Sequence, residues 1–125
     1  MKIAMTSIPV NNPADAFKFY TEVLGFKVKM FMPEMNLAIV VSPEDENGTT
    51  LLLEPNENPV SKTFQEGVYK MGLPIIVMGA SDVQAEYDKL LAKGVKFKQT
   101  PTKTEWGTLA IFDDTCGNYV QIFQP

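Results

Sequence analysis

The feature that most constrains this chain is a self-similarity with a period of about half its length. Gly25 and Gly94 lie 69 positions apart, as do Gly48 and Gly117, while Asn12 and Asp82 lie 70 apart. The paired Gly25 and Gly94 stand where a helix must stop, and the Asn and Asp where one must be capped, so a supersecondary unit repeats rather than a composition. Such a unit carries one apolar sheet face that its own helix cannot cover. Two copies must therefore pair.

The elements follow in order. Residues Lys2 to Val10 alternate, with Ala4, Thr6, Ile8 and Val10 on one face and Ile3, Met5, Ser7 and Pro9 on the other. Asn12 and Pro13 open a helix whose apolar positions Phe17, Tyr20 and Leu24 recur at helical spacing until Gly25. Strands are expected over Phe26 to Phe31 and Met35 to Val41, joined at Pro33-Glu34, and over Thr49 to Glu54 after the polar cluster Ser42 to Gly48. Pro55 to about Lys70 has little periodicity and reads as a linker with one helical turn around Lys62 to Val68. The same order then recurs: a strand over Leu73 to Met78, a helix capped by Ser81 or Asp82 with Val83, Tyr87, Leu90 and Leu91 as its stripe, and strands over Val95 to Lys98, Thr108 to Phe112 and Tyr119 to Phe123. The expected fold is α+β, two βαβββ repeats whose curved sheets form a cup. One domain spans 1–125, with repeat one at about 1–56, a linker at about 57–71 and repeat two at about 72–125.

Composition sets the partners. A chain of 125 residues with 45% hydrophobic and 21% charged side chains is an ordinary globular domain. Its net charge of −4 argues against nucleic acid, which requires clustered Lys and Arg. No apolar run approaches the length of a membrane span, so no membrane partner is expected. The opening MKIAMTSIPVNN lacks the charged leader and apolar core of a secretory signal. The single cysteine, Cys116, excludes an internal disulfide. The cytoplasm is the expected compartment.

The C-terminal stretch carries a family signature. Gly107-x-x-Ala110-x-Phe112, an acidic turn, and Gly117-Asn118-x-x-Gln121 on the returning strand form a hairpin. The words IPVNNPADAFKFYTEVLGF and SDVQAEYDKLLAKGVKF complete the pattern, with Phe19-Tyr20 and Leu24-Gly25-Phe26 in the first. Together these segments resemble the vicinal-oxygen-chelate superfamily, which includes glyoxalase I, ring-cleaving dioxygenases, fosfomycin-resistance enzymes and bleomycin-binding proteins. The resemblance covers nearly the whole chain and implies a homodimer with cups formed within or across chains.

In the metal enzymes of that superfamily, the first and last strands of each unit supply four His, Glu or Gln ligands. Carried onto this sequence, the positions are Met5, Leu52, Ile75 (Pro74 if the register slips by one) and Gln121, where the metal enzymes usually have Glu. Three of these side chains offer a divalent ion nothing in place of its water, and the chain contains no histidine. No metal and no cofactor are expected.

If Met5, Leu52 and Gln121 face inward, alternation places Ser7, Thr50, Glu54, Tyr119 and Phe123 beside them, and packs Ile8, Val10, Leu51, Leu53, Val120 and Ile122 under the helices. The candidate ligand-binding residues are Ser7, Leu52, Glu54, Trp106, Tyr119 and Gln121. Trp106 reads either as an indole that stacks on a flat ligand or as a plug packed against the other repeat, and Gln121 either as a ligand contact or as a satisfied strand amide. Glu54 reads as a solvated strand-end carboxylate or, if buried, as a general base. Asp113 and Asp114 read as turn-forming carboxylates, and Cys116 as a small turn residue. The expected function is metal-independent binding of a planar, apolar or cationic small molecule, of the bleomycin-resistance type. The alternative is a glyoxalase-like lyase or isomerase, or a dioxygenase-related enzyme, whose substrate the sequence does not name.

Overall fold

A computed structural model describes residues 1–125 and divides into two compact units, Met1–Phe64 and Gln65–Pro125. In the first unit, strand β1 (Met5–Val10) leads into helix α1 (Pro13–Lys18). The helix starts where the sequence predicts: the Asn12 side chain accepts from the Ala14 and Asp15 amides at 2.9 and 3.1 Å, and Pro13 occupies the first turn. It continues as a wider π-helical turn over Phe19–Val23, which the sequence does not announce, with the Leu24 amide donating to the Phe19 carbonyl at 3.1 Å. Gly25, at φ +82°, ends it in the left-handed conformation that suits glycine. Strands β2 (Lys27–Met32), β3 (Leu37–Val41) and β4 (Thr50–Pro55) follow.

The four strands form one sheet in the order β1-β4-β3-β2, parallel between β1 and β4 and antiparallel elsewhere. One face packs against the helical segment. Ile8, Val10, Leu51, Leu53, Ala38 and Val40 are buried there with Ala16 and Tyr20. The Phe17 ring stacks on Phe31 with centroids 4.0 Å apart.

Helix α2 (Pro59–Lys70) carries the chain from one unit into the next. The segment expected as a linker thus holds a helix of 12 residues in place of the single turn expected around Lys62 to Val68. Its polarity is inverted: the buried inward residue is Gln65, whereas Val60 and Phe64 face water. The Gln65 amide donates to the Cys116 carbonyl at 3.2 Å and to Asn118 Oδ1 at 3.3 Å, so hydrogen bonding rather than an apolar stripe docks the helix.

The second unit repeats the first. Strand β5 (Pro74–Gly79) precedes helix α3 (Val83–Ala92), capped by Asp82, whose carboxylate accepts from the Ala85 amide at 3.0 Å. Strands β6 (Phe97–Lys103), β7 (Thr108–Asp113) and β8 (Tyr119–Gln124) complete a sheet of order β5-β8-β7-β6, again with one parallel pair, β5 with β8. Each unit thus has βαβββ topology. The fold is α+β with two such modules. Val83, Leu90, Ala110, Phe112, Val120 and Ile122 form the buried helix side, while Leu91, expected in the stripe, is exposed.

Strand β6 is longer than the sequence suggests and runs through Pro101. It tolerates the proline because it lies at the sheet edge, where a missing amide donor breaks no inner ladder. Its register with β7 shifts between Phe97 and Gln99 and again between Gln99 and Thr102.

Candidate functional site

Alternation turns a second face of each sheet away from its helix. In unit one, Ser7 pairs with Leu52, Met5 with Thr50 and Pro9 with Glu54, so the expected site residues of this half share one surface. Ile39, opposite Leu52, and Met30, opposite Ile39, extend it across the sheet. Met5 and Met30 are 47% and 44% exposed, Ser7 and Glu54 are exposed, and Leu52 is half-buried. The surface is apolar and rich in adaptable thioethers, with single polar groups at its margin.

In unit two the equivalent surface carries Tyr119 and Gln121 on β8, with Val77, 55% exposed, opposite Gln121. Ile111 lies on the other flank of Gln121 and Asp113 on that of Tyr119. The Gln121 side chain is half-buried. Trp106 does not stand beside them. It occupies a tight turn between β6 and β7, beyond the pairing of Thr108 with Gln124. The Thr104 and Gly107 backbones bond to each other across it, and the Thr104 hydroxyl accepts from the Trp106 amide at 3.2 Å. The indole is 78% exposed.

The turn before β8 is fixed by a buried carboxylate. One Asp114 oxygen accepts from the Cys116 amide at 2.7 Å and the Asn118 amide at 3.0 Å; the other accepts from the Asn118 side chain at 3.1 Å. Asp113 accepts from the Thr115 amide at 2.7 Å through Oδ1. Both acidic residues therefore do the turn-forming work expected of them, and Cys116 is a buried turn residue.

Two residues that the sequence reading passes over join Tyr119. Tyr69, from α2, stacks on it with centroids 4.4 Å apart and planes 5° from parallel, and donates its hydroxyl to Asp113 Oδ2 at 2.6 Å. That bond to Asp113 first, and the neighbouring Tyr119 hydroxyl second, hold the Tyr69 phenol well above the ordinary tyrosine range. Lys98 places its ammonium 5.4 Å from the Tyr119 ring centroid. Tyr69 escapes notice because the apolar residues of its segment, Val60, Phe64 and Met71, face water rather than a core. Lys98 escapes it because the register of β6 shifts between Phe97 and Gln99, where alternation no longer assigns a face.

The residues at the metal positions do not fit an ion. Met5 and Leu52 offer a thioether and an alkyl chain. In unit two, Pro74 is in register with Tyr119 and Ile75 falls in the irregularity that follows, which leaves the Gln121 amide as the one hard donor. No three His, Cys, Asp or Glu side chains group closely enough to hold a metal. A separate open cleft of about 580 Å³ lies between the residues before β1 and the loop before β4, and none of the candidate residues lines it.

Two βαβββ modules, each with one face under its helix and the other open, define a protein of the paired-module class. The chain belongs to the Glyoxalase/Bleomycin resistance protein/Dioxygenase superfamily, whose sequence model matches residues 2–122. It is 48% identical to the uncharacterized protein YurT of Bacillus subtilis (strain 168), over 99% of both chains. Among solved structures it is similar to UcmS2, at 29% identity and a TM-score of 0.83 over 100% of this chain and 98% of that one. It is also similar to TnmS3, an antibiotic binding protein from Streptomyces sp. CB03234, at 25% identity and a TM-score of 0.79 over 100% and 96%. No helix is long and apolar enough to cross a membrane.

Proposed function

We propose that this protein binds a planar or cationic small molecule without a metal, on the sheet faces that its helices leave open. The observation that carries this reading is the composition of those faces: exposed or half-buried Met5, Met30, Leu52 and Val77 around isolated polar groups, with no set of hard donors. A surface of that kind rewards the burial of a flat apolar ligand and gives a divalent ion little. The similarity to an antibiotic binding protein supports the same reading.

Ser7, Leu52 and Glu54 serve the first unit's face, with the Glu54 carboxylate available to a cationic group. Tyr119 and Gln121 serve the second, and Trp106 supplies an exposed aromatic edge. The chain works as one domain, as a homodimer in the cytoplasm, with the repeats joined through α2. Glu54 is exposed, which favours a role in ligand orientation over general-base catalysis.

A thermal-shift screen with neutral, cationic and anionic planar aromatics tests the proposal, followed by calorimetric titration of each hit. Leu52→Glu should weaken a hit on the first unit's face, and Gln121→Ala one on the second unit's face, by about tenfold or more, since each removes or charges a central contact of its own surface. A broad panel without a single saturable binder would sink the reading.

A further inference from the structure

We infer that Lys98 makes the open face of the second unit selective for ligands bearing an acidic oxygen, a carboxylate or phenolate on a flat ring system. The inference rests on the binding reading above and adds a ligand class to it.

The geometry begins with where the ammonium is held. Lys98 Cε and Nζ lie 2.7 and 2.8 Å from the point a β-carbon on residue 72 would occupy, so the end of the side chain rests against the backbone of Gly72. Gly72 has φ +73° and no side chain, and both features leave that space open. The lysine tip is thus placed beside Tyr119 by a backbone that only glycine supplies easily. It does not swing free from an unstructured strand: the register shift between Phe97 and Gln99 brackets it.

The charge at that place is not spent. Lys27 pairs with Glu46 and Lys89 with Glu86, and neither pair involves Lys98. The carboxylate of the same cluster, Asp113, keeps its negative charge while its oxygens accept from Tyr69 and the Thr115 amide, so an acidic ligand must gain from direct contact with the Lys98 ammonium rather than from a net positive field. The Tyr119 ring attracts the cation through its π face, yet an ammonium carries three donors, and a ring satisfies none of them as an acceptor oxygen does. Strand β6 contains Lys98 and Lys103 and no acidic residue.

The whole chain is acidic, which by itself repels an anion. Screening decides the contest, because exposed charges beyond roughly 8 Å are largely masked at physiological salt, whereas a direct contact with Lys98 is not. The rest of the ligand finds its surface on the same strand. Tyr119 and Gln121 stand about 7 Å apart along β8, the width of a fused bicyclic or tricyclic system. Ile111 and Val77, which flank Gln121, give that ring system apolar contacts, and the Gln121 amide meets a ring carbonyl or hydroxyl.

Two isosteric probes separate this inference from the broader one: anthraquinone-2-carboxylate and the neutral anthraquinone-2-carboxamide, titrated calorimetrically into the protein at about 50 mM salt. Wild type should bind the carboxylate at least about tenfold more tightly than the carboxamide, with the gap narrowing as salt rises. Lys98→Gln should close the gap, and Lys98→Arg should keep most of it. Circular dichroism would establish that both variants fold. Equal affinity of wild type for the two probes, or a preference that survives Lys98→Gln, overturns the role of Lys98 and leaves small-molecule binding standing. Failure of both probes to bind wild type would count against the binding reading itself, and the inference would fall with it.

Discussion

The two units use the same strand order and close the same hairpin in opposite ways. Before β4, Asp45 stands three residues ahead of Gly48 in a connection held by backbone bonds, Asp45 to Ser42 at 3.2 Å and Gly48 to Asp45 at 3.0 Å, with the Asp45 side chain in water. Before β8, Asp114 stands three residues ahead of Gly117, but its carboxylate is buried and accepts three hydrogen bonds. Gln65 of α2 closes over that turn, and nothing comparable covers the first. A repeated sequence skeleton thus fixes topology. What each copy packs against its turn decides where stability is concentrated.

The open faces diverge in the same way. The pair Ser7–Leu52 of unit one corresponds to Val77–Gln121 of unit two, and Thr50, opposite Met5, corresponds to Tyr119. Around the first pair stand thioethers and an exposed carboxylate. Around the second stand a stacked tyrosine pair, a committed carboxylate and a lysine. Equivalent backbone positions therefore offer different chemistry, apolar with an acid on one side and aromatic with a base on the other.

The sharpest way to break the comparison is a matched pair of aspartate substitutions. Asp114→Ala strands two buried backbone amides and the Asn118 side chain, and should cost about 3 kcal/mol or more of stability in urea unfolding. Asp45→Ala should stay within about 0.5 kcal/mol. Equal losses would mean that the two turns do the same work.

A smaller effect is expected where α2 meets the second face. Tyr69→Phe removes the bond to Asp113 and should cost about 1.5 kcal/mol at neutral pH. The sign of its pH dependence is fixed. In the unfolded chain the phenol ionises near its ordinary value, about pH 10, while the folded chain retains the proton because Asp113 holds it. Tyr69 thus contributes fully below that pH, and its contribution is lost as pH rises beyond it. Tyr69→Phe should flatten this part of the alkaline loss in thermal melts followed from neutral to alkaline pH, and an unchanged slope would contradict the assignment. The smallest effect belongs to unit one's surface pair. Lys27 and Glu46 sit 3.6 Å apart and are both more than half exposed, so Lys27→Ala should change stability by less than about 0.5 kcal/mol.

How much of this was legible in the sequence depends on which force shaped each element. Caps and stops were readable because Asn12, Asp82, Gly25 and Gly94 act locally. The buried rows Ile8–Val10, Leu51–Leu53 and Val120–Ile122 were readable because strand alternation is strict. Helix α2 was not, because its inward residue is the polar Gln65 and its outward residues include Phe64 and Val60, which inverts the usual pattern. Tyr69 was lost with it. Strand β6 runs past the expected end at Lys98 and through Pro101, which is tolerated only because of the edge position that the sheet order supplies. The irregularity after Pro74 likewise shifted the register at Ile75, since a bulge leaves no mark that alternation can reveal.

The proposal that these faces bind organic ligands without an ion has a direct test. Calorimetric titration of anthraquinone-2-carboxamide into protein stripped with EDTA, and into the same protein supplemented with zinc or manganese, should give dissociation constants that agree within about twofold. Binding that vanishes on chelation and returns with the ion would contradict the account.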